Sequence, residues 1–232
     1  DSILESHIGD VREIKTLRES ISSFNPDIVI HMAAQPLVGY SYENPVETFE
    51  TNVMGTINLL EVARGCKNLK AILTITSDKC YENDGRISGY EESDILGGYD
   101  PYSSSKGCVE LLTSSYRRSF LNSQGIGVAT ARAGNVIGGG DWAKDRIIPD
   151  ILKSFEKNKT VIVRNPEATR PWQHVLEPLS GYLILVQKLY VHNSEYSEGW
   201  NFGPNDKDVK SVRWILNNMA ERLKGLDWRL EV

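Results

Sequence analysis

The sequence predicts an α/β fold: a doubly wound, Rossmann-like parallel sheet with a smaller C-terminal region beside it. Three observations carry this expectation. Short apolar runs alternate with longer stretches of helical periodicity. The runs "PDIVIHMAAQ", "KAILTITS" and "IGVATARAG" are apolar throughout, as strands covered on both faces are. Small and polar residues gather where these runs end, and open α/β sheets bind ligands beyond the carboxyl ends of their strands.

Each element follows from its own residues. Val11, Ile14, Leu17, Ile21 and Phe24 recur at helical spacing ahead of the first strand. A long helix is expected from Pro45 to Arg64, with proline at its first position and Val46, Phe49, Val53, Ile57 and Leu60 turned inward. The second strand covers 70–77. A helix over 100–120 takes Asp100 as its N-cap and Pro101 as its first residue. The third strand covers 126–134, followed by the Gly-rich loop "NVIGGGDWAKD". Helices near 147–157 and 178–191, a strand at "TVIV", a loop over 164–175, a strand at "WNFGP" and an amphipathic helix at "SVRWILNNMAERL" complete the chain. Residues 1–135 form the expected dinucleotide-binding domain and 136–232 mainly the substrate-binding region, with segments returning to the sheet.

A dinucleotide site of this class opens with a strand, a Gly-rich turn and a helix. No G-x-G-x-x-G turn precedes the first helix, so this strand-turn-helix unit is expected to be missing from the front of the chain. The natural protein is accordingly expected to extend by about 50–60 residues at that end, the length left over from a βαβ half, and further at the C-terminus. The 232-residue chain alone is expected to bind a dinucleotide poorly.

Composition narrows the function. The formal net charge is −5 with both signs scattered, which disfavours nucleic acid and anionic membrane as partners. No apolar run reaches membrane-spanning length, and "DSILESHIGD" lacks the basic start and apolar stretch of a signal peptide. Cys66, Cys80 and Cys108 are an odd set without metal-ligand spacing, which fits reduced thiols in the cytoplasm; with four histidines and none paired, no metal site is expected.

In "DPYSSSKG", Tyr102 and Lys106 stand one helical turn apart and share a face. A free phenol titrates near ~10, and a neighbouring ammonium favours the phenolate. Bringing it to neutrality takes about 4 kcal/mol and yields a base able to deprotonate a sugar hydroxyl. Ser77, ending the preceding strand, is placed to hold the same oxygen. Against this stands a solvated helix face with a chance Y-x-x-x-K.

The blocks "IVIHMAAQ", "NPVETFETNVMGTINLLEVAR" with its Asn52, "ITSDKCYEN", "PYSSSKGCVELL", "ARAGNVIG" and "RPWQHV" follow one another in the order of a known family. In these the chain resembles extended short-chain dehydrogenases/reductases acting on nucleotide sugars, the 4,6-dehydratases in particular. The resemblance implies NAD as cofactor, with Asp10, Val11, Ala33, Ala34, Gln35, Thr76, Tyr102, Lys106 and Ala133 around it, Asp10 meeting the adenine amino group. It implies dehydration at C4–C6 of a nucleotide-diphospho-glucose: Tyr102 takes the C4 hydroxyl proton, Asp78 protonates the departing C6 hydroxyl, and Ser77 and Lys106 assist. Lys79 replaces the glutamate common at that position, as in the CDP-glucose branch. It is either the C5 base or the partner of a carboxylate, and a lysine becomes a base only when its pKa falls well below ~10.4. Asn135, Arg146, Arg170 and Asn201 are implied at the substrate diphosphate, where guanidinium forks suit paired oxygens. Trp142 and Trp172 are candidates for the base or sugar, or for packing. A homodimer or homotetramer is implied, with Leu111, Leu112 and Tyr116 either at its interface or in the core, while Arg117 and Arg118 read as a solvated face. Two other readings stay open: a 4-epimerase or another 4,6-dehydratase, and a catalytically incompetent fragment.

Overall fold

The computed structural model describes residues 5–86 and 88–231. Residues 1–4 of the N-terminal stretch and residue 232, both touched by the expectations from the sequence, lie outside them. The chain divides into two units. The first comprises residues 1–133 and 180–202; the second comprises 134–179 and 203–232. The division falls between residues 133 and 134, and residues 180–202 return to the first unit.

The first unit is built on four parallel strands in the order β1-β2-β3-β8. These are β1 (Ile28–His31), β2 (Ala71–Ile75), β3 (Gly127–Ala133) and β8 (Gly199–Phe202). Helix α1 (Ile14–Phe24) leads into β1 and packs on α4 (Gly55–Ala63) with Ile14, Leu17 and Ile21 half-buried; Phe24 is exposed. Between β1 and β2 run α2 (Val38–Glu43), α3 (Pro45–Phe49) and α4. Between β2 and β3 runs α5 (Pro101–Tyr116), whose start is as expected: the Asp100 carboxylate accepts from Ser103 N at 2.9 Å, and Pro101 is the first helical residue. Leu60, Ala63, Leu69, Ile72, Leu121, Ile126 and Val128 form the apolar core beneath the sheet, with Val29, Leu112, Tyr116 and Phe120 packed around it. Leu112 and Tyr116 are therefore core residues, whereas Leu111 is exposed.

The expected single helix 45–64 is interrupted. Glu50–Met54 form a π-helical turn between α3 and α4. The extra residue in such a turn rotates the rest of the helix about its axis, and π turns frequently mark functional sites. The buried stripe departs from the predicted apolar one in part: Val46 is exposed, Phe49, Val53 and Ile57 are half-buried, and Thr48, Asn52 and Thr56 face inward, while Leu60 is buried as expected. Arg117 also departs from the expectation. It is half-buried, donates to the Val128 carbonyl and Ser114 hydroxyl, and only Arg118 is solvated.

The second unit has its own core of Ile151, Val161, Val163, Val212, Leu216 and Leu226, onto which Trp172 and Trp228 pack. It contains α6 (Ile147–Glu156), α8 (Val212–Arg222) and three two-stranded ladders. β4 (Val136–Ile137) pairs with β7 (Gln173–His174), β5 (Val161–Val163) with β10 (Trp228–Leu230), and β6 (Thr169–Arg170) antiparallel with β9 (Lys210–Ser211). The segment read as a loop over 164–175 thus carries two short strands, too brief to leave a periodic signal. Helix α7 (Leu176–His192) continues into the first unit.

Gly107 allows α5 to approach the preceding loop: a Cβ there would lie 2.6 Å from the Gly97 carbonyl oxygen. Backbone cannot yield as a flexible side chain does. Gly107→Ala is expected to destabilise the first unit by about 1–3 kcal/mol, measured by denaturant unfolding; unchanged stability would show that the loop moves aside freely.

Candidate active site

The site is assembled where β2 ends and α5 begins. Ser77, only 8% exposed, caps the single 3₁₀ turn Asp78–Cys80 by accepting from Lys79 N, and its hydroxyl donates to an Asp78 carboxylate oxygen at 3.1 Å. Asp78 is half-buried and Lys79 exposed, with no ion pair holding Lys79 among the described residues. Helix α5 packs against this turn.

Tyr102 and Lys106 are both buried on the inner face of α5. Tyr102 N donates to the Ser41 hydroxyl. Lys106 Nζ donates to the Ile75 carbonyl at 3.1 Å, the last residue of β2. Burial lowers the Lys106 pKa to about 8, with Glu110 and Cys80 opposing the shift. Both side chains are thus buried beside the end of β2.

Behind it stands a polar lattice. Asn52 Oδ1 accepts from Gln35 N at 2.8 Å, and Asn52 Nδ2 donates to the Gln35 carbonyl and to the Ser105 hydroxyl. Gln35 Nε2 donates to the Thr48 hydroxyl. The Thr56 hydroxyl donates to the Asn52 carbonyl, so it accepts from His31 Nε2 at 2.9 Å. His31 is buried, and burial, aided by the Lys106 charge, lowers its pKa to about 4. It is a packed neutral imidazole.

Ala33 is exposed, Ala34 and Gln35 are half-buried, and all three follow β1. Asp10 is exposed; hydrogen bonds from the Arg12 side chain and backbone hold its carboxyl at about 2. Asn58 on α4 pins this turn through the Val11 and Arg12 carbonyls, and Val11 packs against Gly55. Asp10, Arg12, Glu13, Glu50, Met54 and Asn58 line a surface depression of about 450 Å³.

Thr76 directly follows β2 and Ala133 ends β3, with Thr76 N bonded to the Ala131 carbonyl. Asn201 lies in the first unit with its amide engaged: Oδ1 accepts from Tyr81 OH at 2.7 Å, and Nδ2 donates to the Tyr90 carbonyl at 2.9 Å. Asn135, Arg146 and Arg170 belong to the second unit. There the Asn135 carbonyl accepts from Gln173 N, Arg146 sits 3.6 Å from Asp141, and Arg170 is exposed with its guanidinium on the Thr169 carbonyl. Trp172 donates to the Lys210 carbonyl from within its core, whereas Trp142 is exposed.

Sequence reading missed the loop after the strand-end turn. Tyr90 stacks on Tyr81 with centroids 5.1 Å apart, Glu92 accepts from Asn201 N, and Arg132 donates to Tyr81 OH and the Glu92 carbonyl. It also missed Glu110 as the partner of Arg132; only the i, i+4 step from Lys106 pointed to it. Among the described residues no cluster of metal-ligating side chains occurs, and no helix is long and apolar enough to cross a membrane.

This architecture is shared with nucleotide-sugar-modifying enzymes of known structure. A UDP-glucose 4-epimerase from Brucella ovis, in complex with NAD, superposes with a TM-score of 0.84 at 21% identity, covering 97% of this chain and 72% of the other. A double mutant of a dTDP-glucose 4,6-dehydratase from Streptomyces venezuelae, with NAD bound, gives a TM-score of 0.80 at 22% identity over 96% and 65% of the two chains. The chain belongs to the family described as GDP-mannose 4,6 dehydratase, whose model matches residues 1–204. The CDP-glucose 4,6-dehydratase of Salmonella typhimurium is 59% identical over 95% of this chain and 63% of its own length. The dTDP-D-glucose 4,6-dehydratase of Dictyostelium discoideum is 28% identical over 90% and 49%. The chain thus spans between about half and two thirds of the length of these relatives.

The buried neutral His31 makes stability depend on acid. Its folded pKa, about 4, lies below the ordinary 6.5, so the unfolded chain takes up a proton first as pH falls. Stability is expected to drop by about 2 kcal/mol from this residue between pH 7.5 and pH 5. Urea unfolding at the two pH values should show the drop in the wild type and a smaller one in His31→Gln.

Proposed function

We propose that this chain is part of a nucleotide-diphospho-glucose 4,6-dehydratase acting on CDP-glucose. The observation that carries the reading is the acid of the strand-end turn: Asp78, capped by Ser77, against the helix that buries Tyr102 and Lys106. An epimerase of the 4-position has no use for an acid there, whereas expulsion of a hydroxyl needs a proton donor. The identity with the Salmonella CDP-glucose enzyme, together with the lysine at position 79, favours CDP-glucose over the other nucleotides.

The residues present suit NAD. Ala33 has no bulk to obstruct a dinucleotide beyond β1, and Asp10 and Arg12 rim the depression beside α4, where an adenine amino group would find the carboxylate. NAD supplies a hydride acceptor for sugar C4 and a donor for C6. Tyr102, as phenolate, removes the C4 hydroxyl proton, and the Lys106 ammonium favours that charge state. Asp78 protonates the leaving C6 hydroxyl, with Ser77 orienting its carboxyl group. Lys79 is the candidate for the C5 proton. Arg146 and Arg170 are candidates for the substrate diphosphate.

Incubating the enzyme with CDP-glucose and NAD should give a 4-keto-6-deoxy sugar, read by its absorbance in alkali; a 4-epimer, which lacks that absorbance, would replace this reading with the epimerase one. Tyr102→Phe is expected to lower kcat by about 10²–10⁴-fold. Asp78→Asn should impair elimination while C4 oxidation persists, visible as NADH accumulating without product. Wild-type turnover in Lys79→Ala would reject the C5-base role.

A further inference from the structure

Glu110 is an acid buried to 4% exposure on the inner face of α5, one turn beyond Lys106. Its carboxylate is fully occupied. Oε1 accepts from the Thr76 hydroxyl at 2.5 Å; Oε2 accepts from the Thr130 hydroxyl at 2.6 Å and from Arg132 Nη2 at 2.7 Å. A buried carboxylate is tolerated only with such compensation. Two features make it more than a core ion pair. Lys106 and Glu110, on successive turns of one helix, hold successive residues of one strand end, Ile75 through its carbonyl and Thr76 through its hydroxyl. The next residues along that strand are Ser77 and Asp78. Near Lys106, moreover, the fold offers Glu110 as the buried anion.

We propose that Glu110 is a positioning residue for the reaction: its negative charge keeps the Lys106 ammonium protonated inside the protein, and its bond to Thr76 fixes the strand end that presents Ser77 and Asp78. This rests on the reading of Tyr102 and Lys106 as the reacting pair. The charged and titratable groups around Lys106 are few. Tyr102 and Glu110 share its helix, Arg132 approaches from β3, Cys80 and Asp78 lie on the strand-end turn, and His31 ends β1. His31 is neutral, and burial pushes the Cys80 thiol up to about 12, so it too is neutral at working pH. Arg132 balances the carboxylate through a bidentate-capable guanidinium bonded also to Tyr81 and to the Glu92 backbone. Glu110 counters the desolvation that drives Lys106 down.

The test uses the intact enzyme with lysine labelled at the ε-carbon, the Lys106 resonance being assigned by its loss in Lys106→Arg. In Glu110→Gln the Lys106 titration midpoint is expected about one pH unit lower than in the wild type. The alkaline limb of the kcat/KM profile should move down with it, because activity that needs the ammonium is lost as pH rises through that midpoint. Glu110→Asp, which keeps the charge, should hold both near their wild-type positions even where kcat falls. Should Glu110→Gln not fold, Glu110→Gln/Arg132→Met removes both partners of the buried pair, and its midpoint, compared with that of Arg132→Met alone so that the loss of the arginine cancels, should again lie lower. An unmoved midpoint in the charge-removing variant that folds, or an equal shift in Glu110→Asp, would overturn the proposal. The resonance reports on Lys106 whether or not CDP-glucose is turned over, so a failed dehydratase assay with a shifted midpoint would count against the assigned reaction and not against Glu110.

Discussion

The hold of α5 on the end of β2 is the constraint around which the first unit is organised. A helix that merely covered a sheet would need apolar contacts alone. Here it also donates to the strand's last carbonyl through Lys106 and accepts from the following hydroxyl through Glu110. Both groups are buried, where an unpaired partner costs about 1–3 kcal/mol or more. The helix therefore cannot slide by a residue without stranding a charge. Gly107, between the two, lacks a side chain that would keep the loop before the helix at a distance. The position of Tyr102 relative to Ser77 and Asp78 follows from this registration.

A second polar seam runs along the opposite flank of the site. Thr48, Asn52 and Thr56 occupy the inward stripe where apolar residues are usual, and each is satisfied by Gln35, Ser105 or His31. The π turn at Glu50–Met54 makes this possible by rotating Asn52 to reach both the Gln35 backbone and the α5 side. The segment after β1, which carries Ala33 and Ala34, is thereby tied to the helix that carries Tyr102. Hydrogen-bonded networks of this sort are rigid when complete and costly when broken.

How much of this was legible in the sequence divides by physical cause. Strand identity was readable because strands covered on both faces must be apolar throughout, and "KAILTITS" and "IGVATARAG" have no other use for such a run. The start of α5 was readable from local chemistry alone, in Asp100 and Pro101. The inward face of 45–64 was not, because periodicity assumes 3.6 residues per turn and an apolar interior, and this segment violates both at Asn52. Tyr102, Lys106, Ser77 and Asp78 were found by motif and fall on adjoining elements. Glu110, Tyr81, Tyr90 and Glu92 escaped because their partners, Arg132 and Asn201, are remote in sequence and no local spacing encodes the meeting. The half-burial of Arg117 escaped for the same reason.

The stacked Tyr81–Tyr90 pair shows what this remoteness entails. Through it the loop after the strand-end turn is fastened to Arg132 on β3 and to Asn201 on β8. That segment is thus not a portable module. Grafting it from a relative would carry the aromatic half of the fastening and leave the arginine and asparagine behind, facing a foreign loop. Exchange of this loop between relatives then requires matching changes on both β3 and β8, which sets a lower limit on how many simultaneous changes such a transplant demands.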